Sequence, residues 1–158
     1  MPFVSEWSTT DQRNLVVFAP DVLRVFKNYR QRLFWQPEGG GILLGRRRGK
    51  HLEVVLATEP SPKDRRATFS FVREANGHAE FAELAWHQGD KKIDYLGEWH
   101  THPENVPNPS GVDRREWGKL VAQRPNSTLL VVVVGINSLH VEIIDRGQEK
   151  LLAPLAPK

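Results

Sequence analysis

The apolar residues of this chain fall into short runs that switch between two spacings. LVVFAP (residues 15 to 20) is a continuous apolar run closed by proline, the pattern of a short strand. Pro20 and Asp21 suit the opening of a helix, and Val22, Val25, Phe26, Tyr29 and Leu33 recur at helical spacing through DVLRVFKNYRQRLFW. GGGILLGRRRGKHLEVVLATEP reads as a hairpin, with strands at residues 42 to 46 and 52 to 58 around Arg48-Gly49. Residues 68 to 72 suit a further strand. HAEFAELAWHQGD suits a helix with Phe81, Leu84 and Ala85 inward and Gly89 closing it. KKIDYLGEWHTH is a strand, PENVPNPSG a loop and VDRREWGKLVAQ a helix. STLLVVVVG and SLHVEIIDRG form a last hairpin across Gly135, Ile136 and Asn137. The proline-bearing end, from about residue 148, reads as a loose tail. The order predicts an α/β fold, a mixed, mostly antiparallel sheet flanked by helices, in a single domain over residues 1–158.

Composition narrows the chemistry. The chain of 158 residues contains no cysteine, so disulfides, thiolate metal sites and thiol nucleophiles are excluded. Any metal must sit on His, Asp or Glu. No apolar run approaches the roughly 20 residues that cross a bilayer, and MPFVSEWSTTDQRN lacks the pattern of a secretory leader, so a cytoplasmic protein without membrane contact is expected. The net charge is +3, and its densest cluster is Arg46, Arg47, Arg48 and Lys50. That cluster reads as a solvated hairpin tip or as a contact for an acidic partner. Without interleaved aromatic residues it gives no reason to expect nucleic acid.

The stretch GEWHTHPENVPNPSGVD carries the most chemistry. Side chains alternate across a strand, so Glu98, His100 and His102 share one face while Trp99 and Thr101 take the other. Two imidazoles two residues apart on one strand face can converge on one ion, and a structural role is the alternative. Pro103 ends the strand, and Ser110 with Asp113 three residues later has the spacing of a capping box. Either these two residues only cap the helix, or helix entry also delivers Asp113 back towards the histidines. Two imidazoles and a carboxylate leave a fourth tetrahedral position open, as in catalytic zinc sites. Such a site needs a carboxylate base that is not a ligand. Glu98, on the histidine face, and Glu38, ahead of the glycine run 39–41, both qualify, and spacing does not choose between them.

His100-Thr101-His102, ten residues, then Asp113, with Ser110 between and Glu38 upstream of GGGILLG, resembles the JAMM motif of the MPN+ (JAB/MPN domain) zinc isopeptidases. The resemblance spans the chain from the long helix to the last hairpin and implies a cytidine-deaminase-like MPN/JAB domain. It implies one Zn2+ held by His100, His102 and Asp113, with Glu38 as general base and Ser110 stabilising the oxyanion; Glu98 would then orient a histidine. GEWHTHP and PSGVD are most similar to the bacterial stand-alone JAB peptidases of anti-phage cyclic-oligonucleotide (CBASS) operons. What that implies is deconjugation of a nucleotidyltransferase (CD-NTase) from its targets. The substrate would be a protein with an extended C-terminal tail, a ubiquitin-like protein or the conjugated CD-NTase, and strand addition at a sheet edge would bind that tail. The segment 61–76 and the loop 104–109 are the places for substrate-binding insertions.

Rival readings are weaker. A cupin places its glutamate differently after the second histidine, a nucleobase deaminase needs cysteines, and HExxH is absent. The same site would serve a peptidase that trims a sulfur-carrier or ubiquitin-like tail, and an MPN scaffold without catalysis would lack the ligands this chain keeps. His51, His78, His87 and His140 read as structural. Trp35, Trp86, Trp99 and Trp117 read as mostly core, with Trp99 and Trp117 bracing the site.

Overall fold

The computed structural model describes residues 3–33, 35–60, 65–66, 71–72 and 93–155. The helix expected at residues 78 to 90, His78, Trp86, His87 and most of the expected strand at 68 to 72 lie outside the described residues.

Ten strands are described: β1 (Glu6–Ser8), β2 (Leu15–Phe18), β3 (Gly40–Arg48), β4 (His51–Ala57), β5 (Arg65–Arg66), β6 (Phe71–Val72), β7 (Asp94–Thr101), β8 (Leu129–Val134), β9 (Leu139–Asp145) and β10 (Gln148–Pro154). Helix α1 is Pro20–Tyr29 and α2 is Gly111–Gln123. Eight strands close into a ring in the order β1-β10-β9-β8-β7-β3-β4-β2, while β5 and β6 pair with each other. Pairing is antiparallel except β2 with β4 and β7 with β8, as the mixed, mostly antiparallel sheet requires. Parallel β7 and β8 need a crossover, and α2 provides it.

Closure corrects one expectation. Residues from 148 onward are not a loose tail: Gln148 to Leu152 ladder onto β9, and Ala153 and Pro154 pair with β1. Leu152 is buried in the core and anchors the strand. Closure is partial along some strands: β10 pairs with β1 through Ala153 and Pro154, and β4 pairs with β2 through Leu52, Glu53 and Val54.

The apolar runs explain how the layers pack. Leu130, Val132 and Val134 of β8 join the main core with Phe18, Phe26, Leu43 and Trp99. Leu129, Val131 and Val133 face outward, beneath Trp117, Leu120 and Val121 of α2. A strand buried on both faces reads as an uninterrupted apolar run, which is what LLVVVV is.

Two boundaries differ from the periodicity. The first helix stops at Tyr29, where Arg30 turns extended, instead of running to Trp35. Side chains take over from helical bonding there: Gln31 Nε2 donates to the Gln36 carbonyl, and Gln36 Oε1 accepts from the Leu33 amide. Leu33 lies at the surface and Trp35 is 62% exposed, so Trp35 is not a core residue. This turn brings the chain back to Glu38. In β7, Leu43 faces Gly97 and Leu44 faces Tyr95, so Leu96 has no partner on β3. That bulge sets the alternation, with Leu96 and Trp99 in the main core and Tyr95 outward.

Candidate metal centre

Three segments converge at one end of the barrel: the residues before β3, the end of β7 and the start of α2. Each is held by bonds its sequence supplies. Ahead of β3, the Gly39 amide donates to Thr101 Oγ1 at 2.9 Å, the Thr101 amide donates to the Gly39 carbonyl at 2.9 Å, and Thr101 Oγ1 donates to Gln31 Oε1 at 2.8 Å. Thr101 and Gln31 are fully buried. The threonine between the two histidines thus ties the Glu38 segment to the histidine strand. A Cβ on Gly41 would lie 2.3 Å from the Thr58 carbonyl oxygen, so only glycine lets β3 pass so close to the chain after β4.

At the end of β7, Trp99 packs inward and donates Nε1–H to the Thr58 carbonyl at 3.0 Å. His100 and His102 face the other way, with His100 packed against Trp117 at 6.2 Å between ring centres. His102 Nδ1 lies 3.0 Å from Glu104 Oε1, which directs Nε2 into the site. Glu104 was not legible beforehand, although its position two residues after His102 was the available signal. Glu98 instead accepts a 2.8 Å bond from the Tyr95 hydroxyl.

At the start of α2, Ser110 and Asp113 form a reciprocal capping box: the Asp113 amide donates to Ser110 Oγ at 3.1 Å and the Ser110 amide donates to Asp113 Oδ2 at 2.8 Å. Capping does not exhaust the aspartate. Its Oδ1 is 3.2 Å from His100 Nε2 and its Oδ2 is 3.2 Å from His102 Nε2. The two Nε2 atoms are themselves 3.2 Å apart.

These separations test whether an ion fits. Ligand atoms placed tetrahedrally about 2.0 Å from zinc lie about 3.3 Å from one another. The His100–His102 separation matches that edge length, each histidine lies as close to one oxygen of Asp113, and Glu38, His100 and His102 offer donor atoms within 4.8 Å of one another. The nitrogen-oxygen donor set, without sulfur, suits a borderline cation such as Zn2+.

The electrostatics follow. Glu38 is 3% exposed, and burial pushes its carboxyl from 4.5 to about 8, with nearby His102 opposing the rise and Asp113 adding to it. For Asp113 burial acts upward, but bonds from His100 and His102 outweigh it and hold the carboxylate well below its usual range. For His102 burial acts downward, and Asp113, Glu38 and Glu104 together raise it. Three acids surround two imidazoles, a charge arrangement that favours a cation between them.

The basic cluster is not a uniformly solvated tip. Arg47 donates to Asp94, to Thr128 Oγ1 and to the carbonyls of Tyr95 and Thr128, while Arg46 and Arg48 share Glu53. His51 accepts from the Leu15 amide and His140 lies 3.0 Å from Glu142. No helix among the described residues is long and apolar enough to cross a membrane.

Known proteins resemble this chain over most of its length. A CD-NTase/cGAS isopeptidase of Pseudomonas aeruginosa is 40% identical over 157 residues, covering 98% of this chain and 99% of the relative. A namesake from Escherichia coli is 38% identical, covering 83% of each, and one from Vibrio cholerae is 37% identical, covering 75% of this chain and 76% of its own. The solution structure of protein DSY2949 from Desulfitobacterium hafniense superposes with a TM-score of 0.62 at 19% identity, covering 86% of this chain and 88% of that one, a likeness of fold. Residues 23–144 match the family described as prokaryotic homologues of the JAB domain, and the chain belongs to that family.

Proposed function

We propose that this protein is a zinc-dependent isopeptidase that cleaves the bond after the C-terminus of a conjugated protein, releasing a CD-NTase from its targets in anti-phage defence. The observation that carries the reading is the convergence of His100 Nε2, His102 Nε2 and the two Asp113 carboxylate oxygens at 3.2 Å, beside the buried carboxyl of Glu38. The names of the relatives support the substrate class.

In this reading His100, His102 and Asp113 hold the ion. Zinc would supply Lewis acidity and lower the pKa of a water towards about 7. Glu38 receives a proton at its carboxylate and returns it to the departing nitrogen; its raised proton affinity suits both halves of that task near neutral pH. The Ser110 hydroxyl accepts from the Asp113 amide, which leaves its own hydrogen to donate to the oxygen that gains charge. Glu104 orients His102. Glu98, engaged by Tyr95, supports the histidine strand.

The test uses a CD-NTase C-terminal tail fused to a reporter, incubated with the protein with and without a chelator. Chelator-sensitive cleavage after the tail is expected, and Glu38→Gln should lower kcat by about 10²- to 10⁴-fold while retaining zinc. Cleavage only of sulfur-carrier or ubiquitin-like tails would redirect the substrate. Cleavage indifferent to chelation, or full activity in Glu38→Gln, would overturn the mechanism.

A further inference from the structure

A second buried polar cluster lies on the outer face of the barrel, against the helix that presents Asp113. Glu142 of β9 is 3% exposed and sits across from Val131 of β8, on the face that α2 covers. A carboxylate there needs partners. Its Oε1 is 3.0 Å from His140 Nε2, and its Oε2 accepts from Arg114 Nη1 at 2.7 Å. The same Nη1 donates to Glu149 Oε2 at 2.8 Å on β10. Arg114 is the residue after Asp113. Its guanidinium stands over the Trp117 ring at 5.4 Å, and Trp117 in turn packs against His100.

We propose that Glu142 and Arg114 are positioning residues for the metal centre, a clamp between the first turn of α2 and strands β9 and β10. The clamp acts on two ligands. It fixes the backbone beside Asp113, and through Trp117 it supports the ring of His100. The capping box sets the angle of the aspartate within the helix, but nothing in it fixes where the helix lies on the barrel. Apolar packing under α2 is non-directional and leaves that position loosely determined. A charge-assisted bond to a buried carboxylate determines it. Ligands whose supporting partners are removed bind metal about 10- to 100-fold less tightly, and the same loss is expected here.

This inference rests on the metal-site reading above, so its test reads metal binding rather than cleavage. Protein stripped with a chelator is titrated with Zn2+ in competition with a chromophoric chelator, for the wild type, Glu142→Gln, Arg114→Lys and Arg47→Met. Arg47 is a well-bonded arginine beyond the end of the β3–β7 ladder opposite His100, away from the first turn of α2, and controls for general loss of stability. Zinc affinity should fall about 10- to 100-fold in Glu142→Gln and less in Arg114→Lys, which keeps the charge, while Arg47→Met keeps wild-type affinity. If Glu142→Gln fails to fold, a reduced affinity in Arg114→Lys carries the result. Wild-type affinity in the folded variants, or an equal loss in Arg47→Met, would overturn the clamp while leaving the metal site standing. No stoichiometric zinc in the wild type would overturn both.

Discussion

Glu38 shows how one side chain is defined by its surroundings. Sequence spacing put it level with Glu98 as a base, because both are acids near the histidines. The fold separates them: Glu38 is buried and shares the donor group with His100 and His102, whereas Glu98 is bonded by Tyr95. Burial also gives Glu38 a signature in stability. An acid whose folded pKa is raised binds more protons folded than unfolded, so its contribution is fully present below about 4.5 and is lost as the pH rises through about 8. The metal-stripped wild type should therefore lose urea resistance relative to Glu38→Gln across that window. Added zinc should close the gap, because a cation favours the carboxylate. Parallel curves for the two stripped proteins from pH 5 to 8 would show that Glu38 is solvated and unperturbed. Glu104 and Gln31 show what single residues conceal: each acts through a turn whose shape no short-range pattern announces.

At the scale of elements, the strand-loop-helix unit around the histidines was legible because its punctuation is chemical. Proline ends the strand, and serine with aspartate opens the helix. The loop between them was less so. Residues 104 to 107 dock on the β8–β9 turn: the Ile136 amide donates to the Glu104 carbonyl at 2.8 Å, and Asn137 Nδ2 donates to Asn105 Oδ1 at 3.0 Å. Gly135 permits this contact, since a Cβ there would lie 2.6 Å from Pro107 Cδ and 2.7 Å from the Glu104 oxygen. Gly135→Ala must push the loop outward and move Glu104 away from His102. We expect a loss of about 1–3 kcal/mol in unfolding free energy together with weaker zinc binding. Unchanged urea midpoint and zinc affinity would mean that the loop is free of the turn. The early stop of α1 belongs to this scale too. Helical periodicity continues to Leu33, but the bonds of Gln31 and Gln36 end the helix first, and side-chain competition of that kind leaves no trace in an apolar pattern.

For the whole molecule, ring closure was the feature hardest to read. Strand-like patterning shows where strands are but not which strand returns to meet the first. β10 was hidden because QEKLLAP alternates poorly and ends in proline, and proline is tolerated where the ladder ends. Yet β10 joins β9 to β1, carries Glu149 to Arg114 and buries Leu152. Its contribution therefore reaches the site through the same helix that holds Asp113. A loose tail predicts that Leu152→Ala changes stability by less than about 0.5 kcal/mol, as surface substitutions do. A ring-closing strand predicts about 2–5 kcal/mol, the cost of a cavity at a buried leucine, a large share of the roughly 5–15 kcal/mol that holds such a domain together. Urea unfolding of the two proteins, each saturated with zinc and each stripped, decides between them. The strand reading also requires that Leu152→Ala unfold in one transition, because a barrel opened at β10 loses its first and last strands together. A small effect, or a separate early transition with the rest of the ring intact, would return these residues to the role of an appendage.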